Sequence, residues 1–283
     1  MRLAAIVGAV LMISTWGLSQ NAQSNAQSGD KGAAQSAPAG QAAAPAGKRR
    51  PMAKTQEEYA AFNAANALTD PAAQEKAAND FAVKFPDSEL RVLLYKTVMH
   101  GYQQANNLDK MMEMSKKVLG YDADDPEALL IAAQVLAERT RDTDLDKADR
   151  LAEARKDAQR ALVTVDTDIP SAGYAPEQLT AYKGFIRSEA HEILGTLDYN
   201  AKAWGDAEAN LKQSIEAYPQ QVDPIAVFRL SVALDMQNKY PEALKYANQA
   251  VDLTKEGTNA GDAARKEKDR LTQLTGSGAP PAK

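Results

Sequence analysis

Small side chains recur at fixed places in the second half of this chain, and they limit its fold more than any other feature. Ala207 and Ala243 stand 36 residues apart. Each opens a series at helical spacing: Ala207, Leu211 and Ser214 in one case, Ala243, Ala247 and Ala250 in the other. Steps of three and four residues place such positions on one face of an α-helix. A face built of alanine, glycine and serine has no bulk to hold a neighbour away, so helices meeting there pack with their backbones close. Alternating β-branched runs, the mark of a half-buried strand, are absent from the folded stretch. The pattern predicts an all-α chain. Hydrophobic residues make up 44% of it but aromatics only 6%, which suits closely packed helices better than a thick aromatic core.

The same design extends along the chain. Residues 188–219 place His191, Leu194, Gly195 and Asp198 on a first helix, with Pro219 closing the unit. Residues 224–255 repeat it with Val227, Leu230, Ser231 and Leu234. Trp204 and Tyr240 stand before the second helices, where a large residue plugs the turn. Pro241 suits a first helical turn, where its missing N–H is not needed. Residues 92–123 carry Tyr95, Val98, Met99 and Tyr102, then Leu108 as the plug and Met111, Ser115 and Val118 on the second helix. Asp125-Pro126 reads as an N-cap and first-turn proline. The helix it opens pairs with a second one bearing Ala154, Ala158 and Ala161; Ala133 and Ala154 lie 21 residues apart, so this hairpin is lengthened. A first hairpin over residues 56–84 has Tyr59, Phe62, Asn63 and Asn66 at first-helix spacing. The stretch 167–176, with Pro170, Gly173 and Pro176, is a long connection, followed by a helix starting near Glu177.

The unit at 188–219 resembles the tetratricopeptide repeat family, whose W-x-x-L-G-x-x-Y signature His191, Leu194, Gly195 and Asp198 match in spacing. The family unit is about 34 residues of helix-turn-helix, and the observed 36 adds a two-residue insertion. The resemblance implies an α-α superhelix, a solenoid of about five helical hairpins over residues 54–256 with a capping helix at 257–275. The last two units match most specifically, while Met99 and Met111 stand where small residues are expected.

Outside that domain, residues 1–19 read as a signal peptide: Arg2 precedes an apolar stretch to Leu18, and Gly17 and Ser19 supply the small residues of a cleavage site. The stretch is shorter than the ~20 apolar residues of a bilayer span, and the rival reading is an uncleaved membrane anchor. Residues 20–53 form a low-complexity linker, expected to be disordered, that ends in KRRP at 48–51; residues 276–283 are a disordered tail.

Several chemistries are excluded or disfavoured. The chain has no cysteine, so disulfides and thiolate chemistry are absent. A net charge of -5 argues against nucleic acid. His191-Glu192 begins like a zinc-protease helix, but Gly195 stands where the second histidine belongs. Asp142, Asp144, Asp146 and Glu153 have calcium-loop spacing, yet Lys147 replaces the turn glycine and adds a positive charge, and an acidic helix start favoured by the helix dipole is the better reading. Asp122, Asp124, Asp125, Asp166 and Asp168 fall at inter-repeat turns and would form an acidic ridge on one edge. No phosphate loop or nucleophile motif is present, so no cofactor, metal or catalytic residue is expected.

What remains is binding. The family resemblance implies that first helices line a concave groove that holds a peptide or a partner protein. Carried over by spacing, the candidates are Lys96, His100, Gln103 and Gln104; Glu127, Gln134 and Glu138; Glu189, Glu192, Thr196, Tyr199 and Asn200; and Phe228, Arg229, Asp235 and Met236. Phe228 and Tyr199 are the expected aromatic anchors. The whole reads as a non-catalytic, exported protein-protein interaction scaffold, periplasmic or secreted, touching a membrane only if the N-terminal segment is retained. The alternatives are a membrane-tethered assembly factor and a calcium-binding or enzymatic envelope module. Mass spectrometry of the exported protein is expected to find Gln20 as its first residue; a retained Met1 would establish the anchor instead.

Overall fold

A computed structural model describes residues 48–276. The expected signal segment, most of the linker and the tail from residue 277 lie outside the described residues. Among the described residues eleven α-helices follow one another: α1 (Gln56–Asn66), α2 (Pro71–Lys84), α3 (Leu90–Gln104), α4 (Leu108–Tyr121), α5 (Pro126–Arg139), α6 (Lys147–Thr164), α7 (Pro176–Asn200), α8 (Trp204–Ala217), α9 (Pro224–Asp235), α10 (Tyr240–Leu253) and α11 (Asn259–Gly276). Each packs against its successor as an antiparallel neighbour, giving an all-α array with the order of a helical repeat.

The start signals are local. Asp70, Asp125 and Asp223 cap α2, α5 and α9, accepting from Ala73 N, Ala128 N and Ile225 N, and each is followed by a proline. The aspartate satisfies an otherwise orphaned N–H and the proline has none to satisfy. Turns repeat as well. Asn106, Lys202 and Asn238 lie in the left-handed region, at φ 51°, 60° and 61°. In each turn the next N–H returns to a carbonyl near the helix end: Asn107 to Tyr102 at 2.9 Å, Ala203 to Asp198 at 2.9 Å, and Lys239 to Leu234 at 3.0 Å. Three hairpins, α3/α4, α7/α8 and α9/α10, thus reverse through one helix-ending geometry.

The small-residue faces meet as the spacing requires. Ala207, Leu211 and Ser214, Ala243, Ala247 and Ala250, and Ala154, Ala158 and Ala161 are all buried. A Cβ on Gly195 would stand 2.7 Å from Leu211 Cγ, so α7 and α8 approach to a distance only glycine permits there. Serine hydroxyls find backbone partners at the same contacts: Ser188 Oγ donates to Ser214 O at 2.8 Å, and Ser231 Oγ to Ala243 O at 3.0 Å. In α3 and α4, Met99 and Met111 take the small-residue positions and are fully buried, their flexible thioethers filling the space.

The first hairpin departs from its expected register. Tyr59, Asn63 and Asn66 are exposed, Phe62 is half-buried, and Glu58 and Ala65 point inward. No described helix precedes α1, so its inner face is set by α2 and α3. The buried Glu58 carboxylate accepts from Ser88 Oγ and from Lys54 N. Ser88 outweighs burial and holds that carboxyl below its usual range.

Neighbouring first helices also touch: α1 meets α3, α5 meets α7, and α7 meets α9. The backbones of α3 and α5 barely meet. α7 begins well before its repeat positions, and its early turns, with the 165–175 connection, lean toward that gap. Replacing Gly195 by valine is expected to lower stability by about 2 kcal/mol through overpacking against Leu211. Urea unfolding should show a lower midpoint at unchanged slope; an unchanged midpoint would contradict the close approach.

Candidate functional site

The gap between α3 and α5 opens into a cavity of about 300 Å³. Val92, Leu93, Lys96, Thr97 and His100 of α3 form one wall, and Pro126 and Glu127 of α5 another. Tyr174 and Tyr182 close the side toward α7, their rings stacked with centroids 5.8 Å apart. A narrower recess continues between α5 and α7, lined by Leu130, Ile131, Gln134, Phe185, Glu189 and Ile193. His100, Glu127 and Tyr182 border both spaces.

A polar network spans the gap. Lys96 Nζ lies 2.7 Å from Asp125 Oδ2 and 2.8 Å from Glu127 Oε2, whose side chains are 7% and 9% exposed. His100 Nε2 lies 3.3 Å from the same Glu127 oxygen, and its Nδ1 faces Gln103 Oε1 at 3.1 Å. Burial works against the Lys96 ammonium, but the two carboxylates outweigh it and hold the group well above its usual range. Burial likewise favours protonating Glu127, and Lys96 and His100 reverse this, keeping it ionised far below the normal carboxylate range. His100 is disfavoured as a cation by burial and by Lys96, yet Glu127 and Gln103 prevail and raise its pKa. Both ring nitrogens face oxygens, which suits an imidazolium donating from each.

Four candidates from the sequence therefore meet here: Lys96, His100, Gln103 and Glu127, with Gln134 and Glu189 on the continuing wall. Gln104 is exposed at the end of α3, and Glu138 is exposed and accepts from Gln134 Nε2 at 2.8 Å. The others lie outside both spaces. Glu192 is half-buried on α7 and Asn200 exposed at its end. Thr196 Oγ1 accepts from Arg229 Nη1 at 2.9 Å, tying α7 to α9. Tyr199 stands edge-on to Trp204, ring centroids 5.5 Å apart, and Phe228 packs against the buried cluster of Val227, Ala250 and Ala264. Asp235 pairs with Arg270 of α11, and Met236 is exposed. The two expected anchors are thus engaged in the packing of the C-terminal hairpins. Tyr174 and Tyr182, which the repeat spacing did not single out, are the aromatics of the cavity.

His191 is a packing residue: half-buried, with Nδ1 3.1 Å from Asn210 Oδ1, and burial lowers its pKa. In the 140–147 loop Lys147 pairs with Asp142 at 2.7 Å and Arg150 with Asp144 at 3.4 Å, while Glu153 lies within α6. Among the described residues no cluster of three or more acidic or imidazole groups is placed to hold a metal ion. None of their helices is long and apolar enough to cross a membrane.

The aspartates expected on the acidic ridge are each paired, their charges divided among different partners. Asp124 pairs with Arg160, and Asp166 with Arg187 and Lys183. Asp122 and Asp168 share Lys48, from the end of the expected linker, at 2.5 and 3.1 Å. No family model matches the chain, and no curated protein matches it.

Two measurements check the network. Replacing Lys96 by methionine leaves Asp125 buried without its cation and Glu127 with His100 alone, and is expected to lower stability by about 3–5 kcal/mol at neutral pH. The loss should shrink as pH falls and the carboxylates protonate. An NMR titration of the two histidines should give separate curves, His100 above the ordinary value of about 6.5 and His191 below it. The stabilisation His100 supplies is complete below that value and is lost as pH rises through the higher folded pKa. Coincident curves would contradict both environments.

Proposed function

We propose that this chain is a non-catalytic interaction scaffold of the tetratricopeptide type, taking a peptide segment of a partner protein in the concave groove where α3, α5 and α7 converge. The observation that carries this is the opening between α3 and α5, about 300 Å³, walled by first helices. A repeat array presents such helices along one continuous face, and an extended or helical segment lying across it meets several at once. Aromatic and apolar side chains, Tyr182, Phe185, Leu130 and Val92 among them, offer contact area, and Lys96, His100 and Glu127 offer a fixed polar register.

The chemistry of those groups favours binding over catalysis. Lys96 is held as the ammonium and has no lone pair for attack. Glu127 is held ionised with Lys96 and His100 on its carboxylate, so it has no proton to give and is a poor base for taking one. Their polar atoms satisfy one another, which fixes the wall in place before any ligand arrives and lowers the ordering cost of association. With the signal-like residues 1–19, the reading extends to an exported scaffold working in the periplasm or cell envelope.

Photo-crosslinking in the native envelope tests it. A benzophenone side chain at Thr97, inside the groove, should give discrete adducts that the same group at Gln159, exposed on α6, does not. Identical adduct patterns from both positions, or none from Thr97, would remove the groove assignment.

A further inference from the structure

Residues 48–54 do not leave the helices freely; they form neither helix nor strand and run as a strap along the α3/α5 cavity, which Lys48, Arg49 and Pro51 help to line. Lys48 N donates to Thr167 O at 3.0 Å, and Lys48 Nζ bridges Asp122 and Asp168, which come from different inter-helix loops. Arg49 makes a two-pronged contact with Glu89 at the start of α3, and Met52 N donates to the same carboxylate at 3.3 Å. The Arg50 guanidinium lies over the Tyr174 ring, 5.8 Å from its centroid, and against Gly173, where a Cβ would overlap it. Gly173 has φ +88°, so the connection both turns and admits Arg50 through the same residue.

The geometry points to the strap as a built-in occupant of the groove, holding the place of a Lys/Arg-bearing extended segment of the partner. This rests on the groove reading above and names the ligand's chemistry. The subsite is specific for a cation. Asp122 and Asp168 have side chains only 17% and 14% exposed, and both reach the same ammonium. Their ridge neighbours Asp124, Asp125 and Asp166 have partners on the helices. Asp122 and Asp168 are served by the strap, and Lys48 offsets the repulsion between the two like charges. A backbone carbonyl, Thr167 O, fixes the direction of an incoming chain, and the Tyr174 face receives a second cation. The strap also lines the cavity with Lys48, Arg49 and Pro51, so a ligand using the whole opening must displace it.

Linkage in one chain places the strap at millimolar effective concentration. A free basic peptide at micromolar concentration therefore competes poorly with it. The test is fluorescence anisotropy with a labelled nine-residue peptide containing the strap sequence, AGKRRPMAK, and a control, AGEEEPMAK. The Lys48→Ala/Arg49→Ala/Arg50→Ala variant is expected to bind the basic peptide at least tenfold tighter than the unaltered chain does. It should ignore the control and lose at least tenfold on adding Asp122→Asn and Asp168→Asn. Should the triple variant fail to fold by circular dichroism, Lys48→Gln alone carries the same comparison. Equal binding by the variant and the unaltered chain, or equal binding of the two peptides, overturns the strap as a ligand mimic. If that happens while Thr97 still gives adducts, the groove stands and the ligand chemistry is wrong; loss of both overturns the groove as well.

Discussion

Close approach between paired helices is the constraint on which this structure depends. Gly195 against Leu211, and the buried faces of Ala207 and Ala243, let hairpins close without thick side chains between them. Dispersion is then gained by backbone and short side chains at short range. Ser188, Ser214 and Ser231 fit the same space because the Ser188 and Ser231 hydroxyls reach carbonyls and Ser214 Oγ lies 3.3 Å from Ser188 Oγ, so burying them leaves no unsatisfied group. A shared turn geometry at Asn106, Lys202 and Asn238 fixes how each hairpin reverses. Similar units then add in sequence, and the order of elements along the chain becomes their order in space.

Against that regularity the gap between α3 and α5 stands out. The hairpin α5/α6 has the longer internal connection, residues 140–146, and α7 carries extra turns at its start. Where the two backbones hardly touch, the contact is made by Lys96, His100, Asp125 and Glu127. Charged groups so poorly solvated persist only because each is matched: one ammonium to two carboxylates, one imidazole to a carboxylate and an amide. The same matching fixes their protonation states and makes the wall rigid. The strap extends the principle to the rim, since Lys48 closes the account of the ridge carboxylates that no helix serves.

Much of the fold was legible in the residues. The starts of α5, α8 and α10 at Pro126, Trp204 and Tyr240 follow from caps, prolines and plugging aromatics, all signals carried within a few positions of one another. The second-helix faces were legible for the same reason. The register of α1 was not, because Tyr59, Phe62, Asn63 and Asn66 fit a helical face whichever side the neighbours occupy. Within the site, Lys96, His100, Gln103 and Glu127 were reached by repeat spacing. Tyr174 and Tyr182 were missed because they lie in the connection and in the early turns of α7, outside the repeated positions. Tyr174, next to Gly173 in the connection, and Tyr182, two turns into the helix that follows Pro176, were the available sign.

The residues alone determined that this chain is helical, where most helices begin, and which faces are thin enough to nest, since these depend on backbone preferences and side-chain volumes spanning a few positions. Only the tertiary structure decided that α3 and α5 stand apart, that one lysine bridges Asp125 and Glu127, and that Lys48 crosses 74 residues of chain to Asp122 and 120 to Asp168. Charge pairs at such separations are chosen by which groups the packed helices bring within reach, and no local preference encodes that choice.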